Sequence, residues 1–339
     1  MIMEEMVKVT YADDKLLINN KYYDFTSNFI YLNKDKIYRH GFRSLIERDE
    51  NGEREYHLNL PAPGIIYRDF SNYFHPVYYT PAFDYENIKD RYFLGVNSGR
   101  TSLQGEFLPY STYFIFIYDM LLSKPLWIWD IEKYSQDIGF PPSEEFWEPG
   151  IESCFRVGEN DLGLDEDTLV AVISKINRVL FINPKTDEIK TMYPTEDFSH
   201  YIGFNIIPKG LPGENNFLFY NTNTKSDNPS EIVEYNPRTN EIVFRFGCEK
   251  TNGKNPLRSF FGAIQKLPNG NYLLYNYMQG LILEITPDKE IIDEISVTPF
   301  PGEDVTIEHR INRCSKIMAY PKEWVEKIQN FLDESYKEE

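Results

Sequence analysis

The chain of 339 residues carries five histidines, His40, His57, His75, His200 and His309, widely separated along its length. A neutral imidazole can attack an electrophilic group or pass a proton, so His200 and His309 are the candidate catalytic residues. Arg258 could steady negative charge developing on a transferred group, and side-chain amides could share that work. Arg258, His40, His75, Asn97, Asn221 and Asn276 are therefore the candidate ligand-binding residues. Imidazole nitrogens also suit iron, zinc or copper. No His-x-His spacing or paired cysteine spacing supports a metal centre, and none is expected. There is also no glycine-rich phosphate loop at a strand–helix junction, so no cofactor is expected.

Those residues can meet only if the fold brings distant segments together, and a recurring strand–turn–strand unit supplies the means. It is clearest as Val179-Leu-Phe-Ile-Asn-Pro-Lys-Thr-Asp-Glu-Ile-Lys, Glu231-Ile-Val-Glu-Tyr-Asn-Pro-Arg-Thr-Asn-Glu-Ile-Val and Leu281-Ile-Leu-Glu-Ile-Thr-Pro-Asp-Lys-Glu-Ile-Ile. Earlier copies begin at Arg43 and Phe114. Anchored on Asp49, Asp119, Asn183, Asn236 and Thr286, the steps are 70, 64, 53 and 50 residues. Short strands repeating near 50 residues predict an all-β fold, a β-propeller of four-stranded blades. In the fifth copy the strands are Gly262 to Leu267, Asn271 to Asn276, Leu281 to Thr286 and Ile291 to Ile295, with tight turns at Pro268-Asn-Gly and Pro287-Asp-Lys.

Val7 to Phe25 and Asp304 to Tyr320 are each too short for a blade, yet together have strands enough for one. Pairing them would close a six-bladed ring and remove its free edges. The propeller domain then spans 1–320, followed over 321–339 by a short amphipathic helix with Trp324, Ile328, Phe331 and Leu332 on one face.

Blade geometry sorts the polar residues. The loop entering the innermost strand and the loop leaving the second strand share one end of each blade. His75, His200 and Arg258 precede innermost strands, and His309 lies on the closing segment. His40, Asn97, Asn221 and Asn276 leave second strands. All are expected around one mouth of the central channel, although strand-end asparagines also serve as turn formers.

The chain as a whole is acidic, with a formal charge of −18 and a pI near 4.8. This charge repels phosphate backbones and anionic lipids, so neither nucleic acid nor membrane is an expected partner. Cys154, Cys248 and Cys314 are an odd number without ligand spacing, read as reduced thiols. The first residues lack a basic start followed by a long apolar run, and the expected location is cytoplasmic.

The string Gly262-Ala-Ile-Gln-Lys-Leu-Pro-Asn-Gly-Asn-Tyr-Leu-Leu-Tyr-Asn, continuing to Gly280-Leu-Ile-Leu-Glu-Ile-Thr-Pro-Asp, resembles blades of the arylsulfotransferase-like β-propellers. Asp197-Phe-Ser-His-Tyr-Ile-Gly-Phe-Asn-Ile-Ile-Pro is similar to that family's His-containing approach to an inner strand. The resemblance covers about Asp161 to Ile295. It implies transfer of a sulfuryl group between phenols through a channel-mouth histidine, here His200. In the fifth repeat the family pattern implies a histidine where this chain has Arg258-Ser-Phe-Phe-Gly. Binding without reaction is therefore the primary expectation, with a small aromatic or anionic ligand, or a peptide, as partner. The Tyr-rich stretch Tyr67 to Tyr79 and an inserted loop from Ser98 to Thr112 are expected to aid recognition. Group transfer is the alternative, and a His-ligated metalloenzyme the second alternative.

Overall fold

The computed structural model describes residues 6–12, 15–19, 21–24, 30–33, 36–40, 44–57, 92–101, 107–119, 124–131, 133–139, 151–173, 178–193, 201–221, 230–247, 262–276, 281–296 and 314–335. Twenty-three strands and one helix occur among them. The N-terminal strands are β1 (Met6–Ala12), β2 (Lys15–Ile18) and β3 (Lys21–Asp24), and β23 (Cys314–Pro321) joins them in the order β23-β1-β2-β3. The next sheet is β4 (Ile30–Asn33), β5 (Lys36–His40), β6 (Ser44–Asp49) and β7 (Gly52–His57). A three-stranded sheet follows, from β8 (Tyr92–Thr101), β9 (Phe107–Asp119) and β10 (Lys124–Asp130).

Three more four-stranded sheets complete the series. They are β11 (Ile151–Arg156), β12 (Leu169–Ile173), β13 (Arg178–Ile182) and β14 (Ile189–Tyr193); β15 (Tyr201–Ile206), β16 (Phe217–Asn221), β17 (Glu231–Asn236) and β18 (Glu241–Gly247); and β19 (Gly262–Lys266), β20 (Tyr272–Asn276), β21 (Leu281–Ile285) and β22 (Ile291–Ser296). Within each of these three, strands adjacent in sequence are adjacent in the sheet. Such meanders in series are propeller-like. The chain divides into two compact units, one of Met1–Gly41, Leu45–Glu55 and Gly203–Glu339, the other of Phe42–Ser44 and Tyr56–Ile202.

The recurring turn explains the repeat. Asn183 Oδ1 accepts the Lys185 N–H and Asn236 Oδ1 the Arg238 N–H, both at 2.9 Å, and Asp49 Oδ1 accepts the Asn51 N–H at 2.8 Å. Side chains of this kind fold their own backbone back and start the hairpin. Asp187, Asn240 and Lys289 then take φ of 59°, 61° and 69° and complete three of these turns.

In the second unit the expected insertion is largely strand. β8 runs to Thr101 and β9 starts at Phe107, with Thr101 opposite Phe107 and Ser98 opposite Tyr113. Residues 107–113, Phe-Leu-Pro-Tyr-Ser-Thr-Tyr, are rich in strand formers, so the hairpin arms lengthen instead of leaving a free loop. Every residue of β12 is buried, as are Val179 to Ile182 of β13. Continuous apolar runs of this kind suit strands covered on both faces.

In the first unit, β1 pairs with both β2 and β23, from Met6 opposite Pro321 to Thr10 opposite Ile317. The ends of the chain therefore share a sheet, as the sequence predicts. Pro321 ends β23, and helix α1 (Lys322–Ser335) begins after it. Its buried stripe is Val325, Ile328 and Leu332, with Trp324 and Phe331 half-buried at the flanks. Tyr23 donates to Asp333 at 2.7 Å, Lys21 pairs with the same carboxylate, and Arg48 sits 5.4 Å above the Phe331 ring.

Neighbouring sheets of this unit are stitched twice over. Near the innermost strands, Asn205 of β15 donates to the Ile264 carbonyl of β19 at 2.6 Å. At the matching position one repeat later, Gln265 of β19 donates to the Ala319 carbonyl at 3.1 Å and accepts the Ala319 N–H at 3.0 Å. Further out, Asn216 donates to Glu234 Oε1 at 2.6 Å, while Lys266 and Tyr272 of the next sheet donate to Glu234 Oε2 at 3.1 Å and 2.7 Å. Phe244 stacks on Tyr272 at 4.0 Å between the same two sheets. Gly213, at φ +83°, lies where any Cβ would overlap Glu234 Oε1. The pattern recurs at Glu284, which accepts from Asn271 at 2.9 Å and from Asn269 and Lys8 at 3.1 Å each.

Burial raises the Glu284 pKa, but the bonds from Asn271, Lys8 and Asn269 outweigh it and hold the group below its ordinary 4.5. The unfolded chain then takes up this proton first as pH falls. The stabilisation is complete above pH 4.5 and is lost as pH drops through the folded value. Glu284→Gln should therefore lower stability at neutral pH and flatten its acid decline, as read from urea midpoints across the acid range. Removing β1 should take out the central partner of both β2 and β23. The expected result is loss of cooperative thermal unfolding, seen by circular dichroism, and not the quiet trimming of a tail.

Candidate functional site

The strand ends fix where the candidate residues can lie. Asn276 is the last residue of β20, opposite Gly262, the first of β19, and opposite Leu281, the first of β21. Asn221 likewise ends β16 opposite Glu231, the first residue of β17. His40 ends β5 opposite Leu45. Asn97 lies inside the extended β8, opposite Phe114, because that strand continues to Thr101. His75, His200, Arg258 and His309 fall outside the described residues, as do the Tyr-rich stretch Tyr67 to Tyr79 and Cys248. His200 immediately precedes Tyr201, where β15 begins, and Arg258 stands four residues before β19.

Asn221 is the candidate whose side-chain surroundings are clearest. It is 0% exposed, and its Nδ2 donates to Glu231 Oε1 at 3.1 Å. Arg245 of β18 approaches Glu231 Oε2 at 3.4 Å from the outer strand. Three strands of one sheet thus contribute an amide, a carboxylate and a guanidinium to the same end. The carboxylate fixes the amide's rotamer by accepting its N–H, and the guanidinium offsets the carboxylate's charge. Sequence reasoning picked Asn221 and missed its partners. The available signal was Glu231 itself, an acidic residue opening a strand that is otherwise apolar up to Glu234.

Cys154 is buried in β11, and burial alone pushes its thiol far above the ordinary range. Burial of this kind disfavours the thiolate, the reactive form of cysteine. Among the described residues no group of three or more His, Cys, Asp or Glu side chains is arranged to hold a metal ion. Among them, too, no helix is long and apolar enough to cross a membrane.

No protein-family model and no curated protein sequence matches the chain. Solved structures do resemble it. A protein of unknown function from Bacteroides caccae is 12% identical with a TM-score of 0.53, covering 94% of this chain and 99% of that one. It shares the fold. Virginiamycin B lyase from Staphylococcus aureus aligns at 14% identity and a TM-score of 0.40, over 80% of this chain and 70% of its own. AztD from Citrobacter koseri aligns at 11% and 0.42, over 90% and 78%.

Asn221→Ala should leave the mostly buried Glu231 carboxylate without its amide donor. The expected cost is about 1–3 kcal/mol of stability, the usual penalty for a buried partner removed, measured by urea unfolding. Asn221→Asp should cost more, because it sets two carboxylates face to face.

Proposed function

We propose that this protein is a six-bladed propeller that binds a small aromatic or anionic ligand, or a peptide, where second strands leave and innermost strands begin. The register Gly262 opposite Asn276 carries this reading, since it puts the approach to β19 and the exit of β20 at one end of one sheet. By repeat equivalence, His200 before β15 and Arg258 before β19 belong to the same kind of approach. Pairing of β1 with β23 supports closure of the ring. A cation beside an imidazole and strand-end amides would accept an oxyanion or a phenol, and the local field would outweigh the acidic surface for an enclosed ligand. The setting proposed is the cytoplasm, where Cys154 would remain a thiol.

Binding is favoured over transfer because Arg258 occupies the fifth-repeat approach, where the resemblance to arylsulfotransferase-like propellers implies histidine. One experiment separates the two. Wild type is mixed with a chromogenic aryl sulfate and a phenol acceptor, and ligand affinity and phenol release are measured together. Binding without release is expected, with His200→Ala and Arg258→Ala each weakening affinity at least tenfold, about 1.4 kcal/mol. Release that vanishes in His200→Ala and falls about 10²–10³-fold in Arg258→Ala would establish transfer instead. No binding to wild type, or affinity unchanged in both variants, would rule out this site.

A further inference from the structure

The buried group around Glu234 lies at the opposite end of its sheet from Asn221, and it holds the reactants of an amide-forming reaction. Lys266 Nζ is 3.1 Å from Glu234 Oε2, and Asn216 Nδ2 is 2.6 Å from Glu234 Oε1. One carboxylate therefore faces an amine nitrogen with one oxygen and a carboxamide nitrogen with the other. The Lys266 and Glu234 side chains are 5% and 4% exposed, so bulk water is kept from both. Tyr272 covers them, its ring 3.6 Å from Nζ and its hydroxyl bonded to Oε2. The missing Cβ of Gly213 leaves room for Oε1 beside the Asn216 amide.

We propose that Lys266 and Asn216 join in an intramolecular isopeptide bond, with Glu234 carrying the proton between them. Nζ adds to Cγ of Asn216, the Cγ–Nδ2 bond breaks, and Nδ2 departs as ammonia. Glu234 takes a proton from Nζ at Oε2 and delivers one to Nδ2 at Oε1. Overall, a lysine ammonium and a carboxamide become an amide and an ammonium ion. The step needs no oxidant, reductant or cofactor.

The nucleophile must be the neutral amine. Burial pulls the Lys266 ammonium below its ordinary range, against the opposing pull of Glu234. In such surroundings the uncharged amine competes with the ammonium, because burying a charge is costly.

The next repeat holds a built-in contrast. Asn271, Glu284 and Lys8 reproduce the arrangement, with Asn271 Nδ2 at 2.9 Å and Lys8 Nζ at 3.1 Å from the two Glu284 oxygens. There, however, Lys8 is 22% exposed and also pairs with Asp293. Burial pulls its ammonium down, but the bonds to Asp293 and Glu284 prevail and keep it protonated above the ordinary range. That pair stays unreacted. One repeat earlier, Thr168 and Phe181 fill the equivalent positions and offer no reactants.

Mass spectrometry of the intact, denatured wild type tests the proposal. The expected mass is lower than the sequence requires by one ammonia, with a tryptic species in which the Lys266 and Asn216 peptides are joined. Lys266→Arg and Glu234→Gln should restore the full sequence mass, while Lys8→Arg should keep the deficit. A wild type of full sequence mass overturns the bond outright, and this measurement depends on no variant folding. A deficit that survives in Lys266→Arg, or that maps to Asn216 without a joined peptide, overturns it equally, since ammonia would then be lost by another route.

Discussion

Glu234 is the constraint around which the first unit is organised. A buried carboxylate cannot stand in an apolar interior without partners, because desolvation of an unpaired charge costs several kcal/mol (on the order of 3–5 when one partner of a buried pair is removed). Its donors come from a loop before β16, from the end of β19 and from the start of β20. Satisfying this one group fixes the register of two sheets, the path of the loop through Gly213, and the stacking of Phe244 on Tyr272. The inner amide of Asn205 ties the same two sheets at a second level, and Gln265 in turn ties β19 to β23. Two separate tethers between a pair of sheets restrain sliding as well as separation.

These polar links work because apolar burial surrounds them. All five residues of β16 are buried, and so are Ile232 to Tyr235 of β17. Hydrophobic contact brings sheets together without choosing a register, whereas a hydrogen bond of defined length accepts only one. The fourth and fifth repeats thus divide the labour: Ile, Leu, Val and Phe drive packing, while Asn216 with Glu234 and Asn271 with Glu284 set alignment. Where the third repeat replaces Glu with Phe181 and Asn with Thr168, apolar packing carries that position alone.

The two ends of each sheet serve different purposes. The end bearing Asn216, Lys266 and Glu234 is sealed and committed to structure. The end bearing Asn221 and Asn276 is where β16 leads on to β17 and β20 to β21. The ligand site proposed above would lie there, on strands held from the far end. Helix α1 acts similarly for the first and last strands, burying Val325, Ile328 and Leu332 and presenting Asp333 to Lys21 and Tyr23.

Much of the architecture was legible in the sequence, for a local reason. Asx turns at Asp49, Asn183 and Asn236, and β-forming runs between them, are decided by residues close in the chain. The strands of the fifth repeat accordingly fall within a residue of their expected bounds, and the sharing of one sheet by the chain's ends followed from counting strands. The helix was legible as well, though its buried stripe includes Val325 and its first turn starts after Pro321. What only tertiary structure decided is which polar side chains meet. Ser98 to Thr112 reads as a loop until cross-strand pairing makes most of it strand. Glu234, Asn216, Lys266 and Tyr272 span 57 positions and read as ordinary surface chemistry until two sheets enclose them. Local sequence encodes turns and periodicity, but the burial that converts a surface carboxylate into a keystone exists only after distant strands have packed.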